Sequence, residues 1–491
     1  MIDQPLPVGW VRDVAVDFAG SFDLNNSRIF QTESSGALRD KLIEILDSSK
    51  DIICISSFLI ADNLIIQAML NASKRGVRVY LLTASEIHLK KEVRDDDAFS
   101  TKLVDEHIRM LDELAGRVLV RTGENFHSKF VLVDPKSEQA MGFLLTANLT
   151  SEALTRNVEI GVKLNSSEVN GMYRQFLIGF WLESSHELLK PSGLSKVVLS
   201  ADTKYELPES HLCTTSQTHT LKEAVKNLIG KAKSEIIISS FGIDVQHETT
   251  KEIVMAAKSG KKVRILARPR NNKSTMGALT SLVEAGAEIR GHPWLHAKCI
   301  LVDLNEGWTG LIMTANIESK GLDEGFESGI PVHRADATNL HLILEDWWQN
   351  FPKTFFTNKK QGEIEGDVSL WRDETLTTIS IQKKFEEDIG EFEAKSFDEM
   401  EIFTPTEVSR HIQHLSARTA SKENTLYHEH ILSWTILPPK LPANLKKDSM
   451  DGDIPIYKRG EDVFVAIQRK DQLSKAKKLA VSMHAKIVFD S

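Results

Sequence analysis

The stretch HSKFVLVD at 127–134 returns as HAKCILVD at 296–303. Each places a lysine two residues after a histidine and an aspartate five residues after the lysine. With each residue type near 5%, a chain of this length should show roughly 0.06 such patterns by chance, so one copy is weak evidence and two are not. The repeat also extends outward in both directions. Upstream, LIEILDSSKDIICISSFLIAD (42–62) resembles LIGKAKSEIIISSFGID (228–244), a helix followed by a β-rich run ending in Ser-Ser-Phe. IIQAMLNASKRGVRVYLLTA (65–84) resembles IVMAAKSGKKVRILARPR (253–270), a helix closed by Gly76 or Gly260 and then an apolar strand. Downstream, GFLLTANLTSEALTRNVEIGV (142–162) matches GLIMTANIESKGLDEGFESGI (310–330).

The offsets are 169 from His127 to His296 and from Asp134 to Asp303, and 168 from Asn148 to Asn316 and from Glu159 to Glu327. From Gly76 to Gly260 the offset is 184, so the first half carries about 15 extra residues, expected in the charged segment 85–110. Alternating strands and helices predict an α/β fold of two similar lobes, over 29–195 and 205–352, behind an N-terminal extension of 1–28. The connection between the lobes is expected over 186–210. Beyond 355 the pattern breaks, and 355–491 is expected to be a smaller α+β appendage. There LYHEHILSWTILPPKLP and IPIYKRGEDVFVAIQ alternate like strands, and KDQLSKAKKLAVSMHA reads as a helix. The terminal HAKIVFD (484–490) copies the histidine and lysine, but its aspartate is one residue short and no asparagine follows, so it is expected to be a plain strand.

Composition narrows the class. Charged residues make up 26% and hydrophobic residues 41%, as in ordinary globular chains. No apolar run approaches the ~20 residues that span a bilayer, and the N-terminus does not read as a secretion signal, so a cytoplasmic protein without membrane insertion is expected. The three cysteines, Cys54, Cys213 and Cys299, are far apart and suit reduced thiols. No spacing suggests a zinc site. The net charge of −9 excludes a uniformly basic nucleic-acid binder but allows a local basic groove.

If the motif lies on a strand, His127 and Lys129 share a face and Asp134 takes the other parity, where it would fix a turn. Asn148 ends the next strand. His296, Lys298, Asn316 and Asp303 repeat the set. Two lysines and two amides suit the nonbridging oxygens of a phosphate. One histidine can attack phosphorus while the other protonates the departing oxygen and then activates water. A nucleophilic imidazole must be neutral and held at its other nitrogen, and Glu159 and Glu327 are the candidates for that role. With lysines neutralising charge, no metal or other cofactor is called for.

These residues resemble the phospholipase D superfamily, whose signature is HxKxxxxD, a following asparagine strand and a later glutamate. The resemblance covers roughly 29–352 (bounds good to several residues). It implies a pseudo-dimer with one active site between the lobes, a phosphohistidine intermediate and no metal, with His127 as nucleophile and His296 as general acid. Thr-Ala stands where the family often has Gly-Ser before the asparagine. The second copy reads GFE where the first reads NVE, so an asymmetric orienting network is expected.

A metal-independent nuclease acting on DNA or RNA is the favoured function. Restriction or anti-phage defence is raised only by family analogy, and the catalytic unit needs no dimer. The segment 258–274 holds seven basic residues and no acidic ones, with Arg268, Arg270 and Lys273 in a loop at a strand's carboxyl end. Phe126 and Trp294, beside the histidines, are candidates to stack on bases. A phospholipid-directed enzyme is the alternative, and a catalytically silent nucleic-acid scaffold a third reading. The appendage offers no readable motif and leaves a protein partner open.

Overall fold

The computed structural model describes residues 6, 8–12, 27–32, 36–85, 101–197, 205–270, 272–359, 364, 366–372, 375–381, 441, 445–460, 462–468, 472–483 and 485–490. Met1–Val14 with Lys353–Ser491 form one compact unit, and Ala15–Pro352 form another.

The larger unit contains two sheets of the same design. Through the strands that the two share, the first runs in the order Leu119–Gly123, Arg78–Ala84, Ile52–Ser56, Phe130–Val133, Met141–Leu145, Ile160–Lys163, Ile29–Gln31. The second runs Glu288–Gly291, Lys262–Ala267, Glu235–Ser240, Cys299–Leu304, Gly307–Met313, Glu327–His333, Leu212–Thr214. The first three strands of each are parallel, joined by crossover helices, and the rest are antiparallel. Buried strands such as Ile52–Ser56 carry apolar side chains on both faces, as a sheet covered on both sides requires.

The crossover helices start and stop where local chemistry directs. Asp62 caps Asn63–Lys74 by accepting from Leu64 N and Ile65 N, and Gly76 beyond its end takes φ of 89°. Asn272 caps Lys273–Glu284 in the same manner, and Gly260, with φ of 90°, follows Glu248–Lys258. Helices Ser166–Ile178 and Arg334–Asn350 bury their apolar stripes in one core cluster that draws residues from both sheets. Arg28 ties the two helices together, pairing with Glu168 at 2.7 Å and Asp336 at 2.8 Å. The two lobes therefore share a core.

Part of the expected connection between lobes belongs to the first sheet instead. His186–Lys190 pairs with Leu119–Gly123 and turns back as Gly193–Lys196. The extra residues of the first lobe fall between Ala84 and Thr101, where 86–100 lie outside the described residues.

In the smaller unit, Gly9–Arg12 pairs with Lys353–Phe356 and Gly366–Arg372, and Thr375–Ile381 continues the set. A separate sheet holds Lys446–Asp451, Ile454–Arg459, Asp462–Ile467 and Lys486–Phe489, with helix Leu473–Met483 packed on it. The strands expected in IPIYKRGEDVFVAIQ, the following helix and the terminal strand are all present. The strand expected in LYHEHILSWTILPPKLP lies outside the described residues, apart from Leu441. Among the described residues no helix is long and apolar enough to cross a membrane.

Candidate active site

His127 and Lys129 precede a strand rather than lying on it, because regular pairing begins at Phe130. The reason is that this backbone bonds to the opposite lobe. His127 N and Ser128 N donate to Phe326 O at 3.2 and 2.7 Å, and Phe326 N donates to Asn125 O at 2.7 Å. The second lobe repeats the arrangement: His296 N and Ala297 N donate to Val158 O at 3.0 and 2.9 Å, and Val158 N donates to Trp294 O at 2.9 Å. Phe326 and Val158 immediately precede Glu327 and Glu159. The contact that anchors each histidine therefore also delivers a carboxylate from the other lobe.

The delivery is close. Glu327 Oε1 lies 2.7 Å from His127 Nδ1, and Glu159 Oε1 lies 2.7 Å from His296 Nδ1. A carboxylate only accepts, so each imidazole donates its Nδ1–H and keeps the Nε2 lone pair. Thr146 Oγ1 donates to Glu159 Oε2 at 2.6 Å, and Thr314 Oγ1 donates to Glu327 Oε2, fixing the second oxygen of each carboxylate. The expected asymmetry from GFE against NVE is absent from these pairs. The residue before the glutamate acts through its backbone, which any side chain supplies.

Burial and neighbouring charge together set the protonation states. Glu159 and Glu327 are 0% and 1% exposed. Burial acts to raise both carboxylates, but the facing imidazole and the nearby lysine outweigh it, leaving both below the ordinary range. Burial lowers His127 against the pull of Glu327. Burial, opposed by Glu159 and reinforced by Lys298, pushes His296 down to about 3. Both directions favour the neutral ring at pH 7. Lys129 and Lys298, each 0% exposed, are pushed down by burial to about 7 and about 8. Lys298 Nζ donates to His296 O at 2.6 Å, and Lys129 Nζ donates to His127 O. Phe58 and Phe241 stand edge-on to His127 and His296, with ring centroids 5.1 and 4.9 Å apart.

The asparagines differ. Asn316 Nδ2 donates to Glu318 Oε1 at 2.9 Å, and its Oδ1 accepts from Gly242 N at 3.3 Å. Asn148 Oδ1 is buried with no hydrogen-bond partner among the described residues, and Thr150 stands where the second lobe has Glu318. Asp134 and Asp303 face away from the histidines. Asp134 accepts from Lys50 N, Asp51 N and Ile52 N, and Asp303 from Ser234 N and Glu235 N, holding the entry to a neighbouring strand.

Of the residues expected to bind substrate, Phe126 does not fit. It is 2% exposed and packs edge-on against Phe326 at 5.1 Å across the seam, so neither ring face is open to a base. Trp294 is 38% exposed. Arg268 lies 5.7 Å from its ring, and both Arg268 and Arg270 lie against Phe241. Lys273 is exposed at the first residue of its helix. Sequence reading passed over Thr146, Thr314, Glu318 and Arg156. The threonines carried a signal, since both copies read Thr-Ala-Asn. It also missed a seam network in which Ser128 Oγ meets Ser328 Oγ at 2.6 Å and Gln175 Nε2 donates to Glu327 O at 2.8 Å.

A family model described as cardiolipin synthase, PLD-like domain, matches residues 42–181 and 225–348. No curated protein matches the sequence. Among solved structures, the chain is similar to polyphosphate kinase from Porphyromonas gingivalis, with 15% identity and a TM-score of 0.46, over 70% of this chain and 52% of that one. It thus spans about half the length of that kinase. It is also similar to phosphatidylserine synthase from Haemophilus influenzae Rd KW20, with 13% identity and a TM-score of 0.45, over 72% and 90% of the two chains. A third likeness is to a phospholipase D family member, Nuc, from Salmonella typhimurium, with 19% identity and a TM-score of 0.26, over 32% and 95%.

Proposed function

The chain belongs to the phospholipase D-like family, a family of phosphodiester-acting enzymes, and on that premise we propose that it is a nuclease that cuts without a metal ion. The observation carrying this reading is the pair of histidines, each 2.7 Å from a carboxylate of the opposite lobe, beside two buried lysines. Lobes over 29–195 and 205–352 form the catalytic unit, and 355–491 is an appendage.

In the reaction, His127 Nε2 attacks phosphorus and a P–N bond forms. The departing oxygen leaves with its electron pair and takes a proton from His296. The arriving phosphate's negative charge favours the imidazolium that His296 needs for this step. His296, now neutral, then removes a proton from water, and the resulting hydroxide displaces His127 from phosphorus. Lys129, Lys298, Asn148 and Asn316 hold the nonbridging oxygens, where charge accumulates as phosphorus becomes five-coordinate. The Glu327 carboxylate steadies the positive charge that His127 acquires in the phosphohistidine, and Glu159 does the same for His296.

A nucleic-acid substrate is supported by the arginines and the exposed indole near His296. The family's description as cardiolipin synthase supports a second reading, a phospholipid substrate. The deciding experiment incubates purified protein, in EDTA, with single-stranded DNA, duplex DNA and RNA, and in parallel with phosphatidylcholine vesicles. Cleavage of any nucleic acid, abolished by His127→Ala and by His296→Ala alike, supports the nuclease. Full activity in either variant overturns the shared site. Choline release with intact nucleic acids moves the assignment to lipid.

A further inference from the structure

The repeat equates Asn125 with Trp294 and Glu324 with Arg156, by the same offsets that equate the histidines and the asparagines. Asn125 and Trp294 are tied to the seam identically, each backbone carbonyl accepting from the opposite lobe at 2.7 and 2.9 Å. Their side chains are opposite in character.

On the His296 side, the Arg156 guanidinium lies 4.0 Å from the exposed Trp294 ring. Arg268 lies 5.7 Å from that ring and 5.4 Å from Phe241, and Arg270 lies 4.1 Å from Phe241. Phe241 in turn meets the His296 ring at 4.9 Å. These contacts make a continuous run of rings and guanidinium groups from the reacting histidine out to solvent. It joins Arg156 of one lobe to the loop of the other. On the His127 side, Glu124, Asn125 and Glu324 are exposed among the described residues, and Ala84 occupies the register of Arg268.

Resting on the nuclease reading, we propose that this run is a one-sided subsite for unpaired nucleotides. A strand leaves the scissile phosphate past His296, with bases against Trp294 and phosphates against Arg156, Arg268 and Arg270. The acidic side does not hold it. Indole and guanidinium planes accept any base face, whereas the stacked bases of a duplex are closed to them. Guanidinium groups meet phosphate oxygens in bidentate geometry. The histidines, lysines and crossing glutamates are matched on both sides, whereas the described surfaces beside them differ. The enzyme should therefore prefer single strands and contact them mainly on one side of the cut.

The test measures binding of a short fluorescein-labelled single strand, and of its duplex, by anisotropy in the His127→Ala background. Trp294→Ala should weaken the single strand by about 5- to 150-fold, the range for one lost base stack, and the duplex far less. Asn125→Ala, at the equivalent place, should change neither. With His127 restored, Asn125→Ala should hydrolyse bis(p-nitrophenyl) phosphate at the wild-type rate. If Trp294→Ala fails to fold, the exposed Arg156→Gln decides. It should weaken the single strand and reduce the slope of log affinity against log salt by about 0.7. Unchanged single-strand binding in these variants, or equal weakening by Asn125→Ala, overturns the subsite while the nuclease stands. A wild-type protein that turns over the small diester and cuts no nucleic acid removes the nuclease reading, and this inference with it.

Discussion

Replacing Glu327 with glutamine alters the second lobe and should disable the histidine of the first. Glu327 Oε1 lies 2.7 Å from His127 Nδ1, and the carboxylate is 1% exposed. A hydrogen bond to a charged group is worth about 1.5–3 kcal/mol, which at 1.36 kcal/mol per decade is about 10- to 150-fold in rate. A second loss adds to this one. Glutamine can offer an N–H to Nδ1, which selects the tautomer with its proton on Nε2, and that imidazole cannot attack. The same tautomer error in a serine protease triad lowers kcat by about 10⁴-fold. Glu327→Gln should therefore lower kcat by about 10²- to 10⁴-fold. Single-turnover hydrolysis of bis(p-nitrophenyl) phosphate at pH 7 in EDTA reads the effect without depending on the natural substrate. In a His127→Ala background the substitution should add nothing, because residues acting as one unit are not additive. A Glu327→Gln enzyme within about threefold of wild type would show that the carboxylate neither orients nor stabilises the ring.

Other expectations follow from the same geometry. Lys129 and Lys298, pushed down to about 7 and about 8, lose their charge as pH rises through those values, so kcat/KM should fall above pH 8. Stability should respond oppositely. From about 7 up to the ordinary lysine value of 10.5, the unfolded chain holds protons that the folded one has lost. The contribution of these two groups to unfolding free energy therefore rises with pH, measurable as urea midpoints against pH in wild type and in Lys129→Met. Asp134→Ala deprives three backbone N–H groups of their acceptor at a position with φ of 48°. It should lower stability by about 1–3 kcal/mol in urea titrations while the folded fraction keeps its kcat, and a stable but inactive protein would contradict this. In Gly321→Ala the new Cβ would sit 2.4 Å from Asn316 O and 2.9 Å from Asn316 N. The shift forced on Asn316 should cost about tenfold or more in kcat, and wild-type kcat would count against a role for that amide.

The α/β class, the pairing of lobes and the residues gathered at the candidate site could be read from the sequence because the motif and its spacing were written twice. What escaped depended on how the lobes meet. His127 and Glu327 are 200 residues apart, and nothing in either segment states that partners cross between lobes. Alternation placed His127 and Lys129 on a strand, but the backbone N–H groups of His127 and Ser128 bond to the opposite lobe, and the strand starts at Phe130. Phe126 and Trp294 each lie within two residues of a reactive histidine. One fills the seam and the other faces water, a distinction that depends on Phe326 rather than on local sequence. Thr146 and Thr314 looked like a minor variation before an asparagine, yet each holds a carboxylate oxygen.

Carrying both lobes on one polypeptide has an evolutionary consequence. In an enzyme assembled from two identical subunits, every substitution appears twice, so a change that improves one edge of the centre is imposed on the other. Joining the copies ends that constraint. Trp294 and Asn125 hold equivalent seats yet have diverged, as have Arg156 and Glu324, while the histidines, lysines and crossing glutamates remain matched. Inheritance has been free to specialise the approach to the centre while each half still depends on the other for its chemistry.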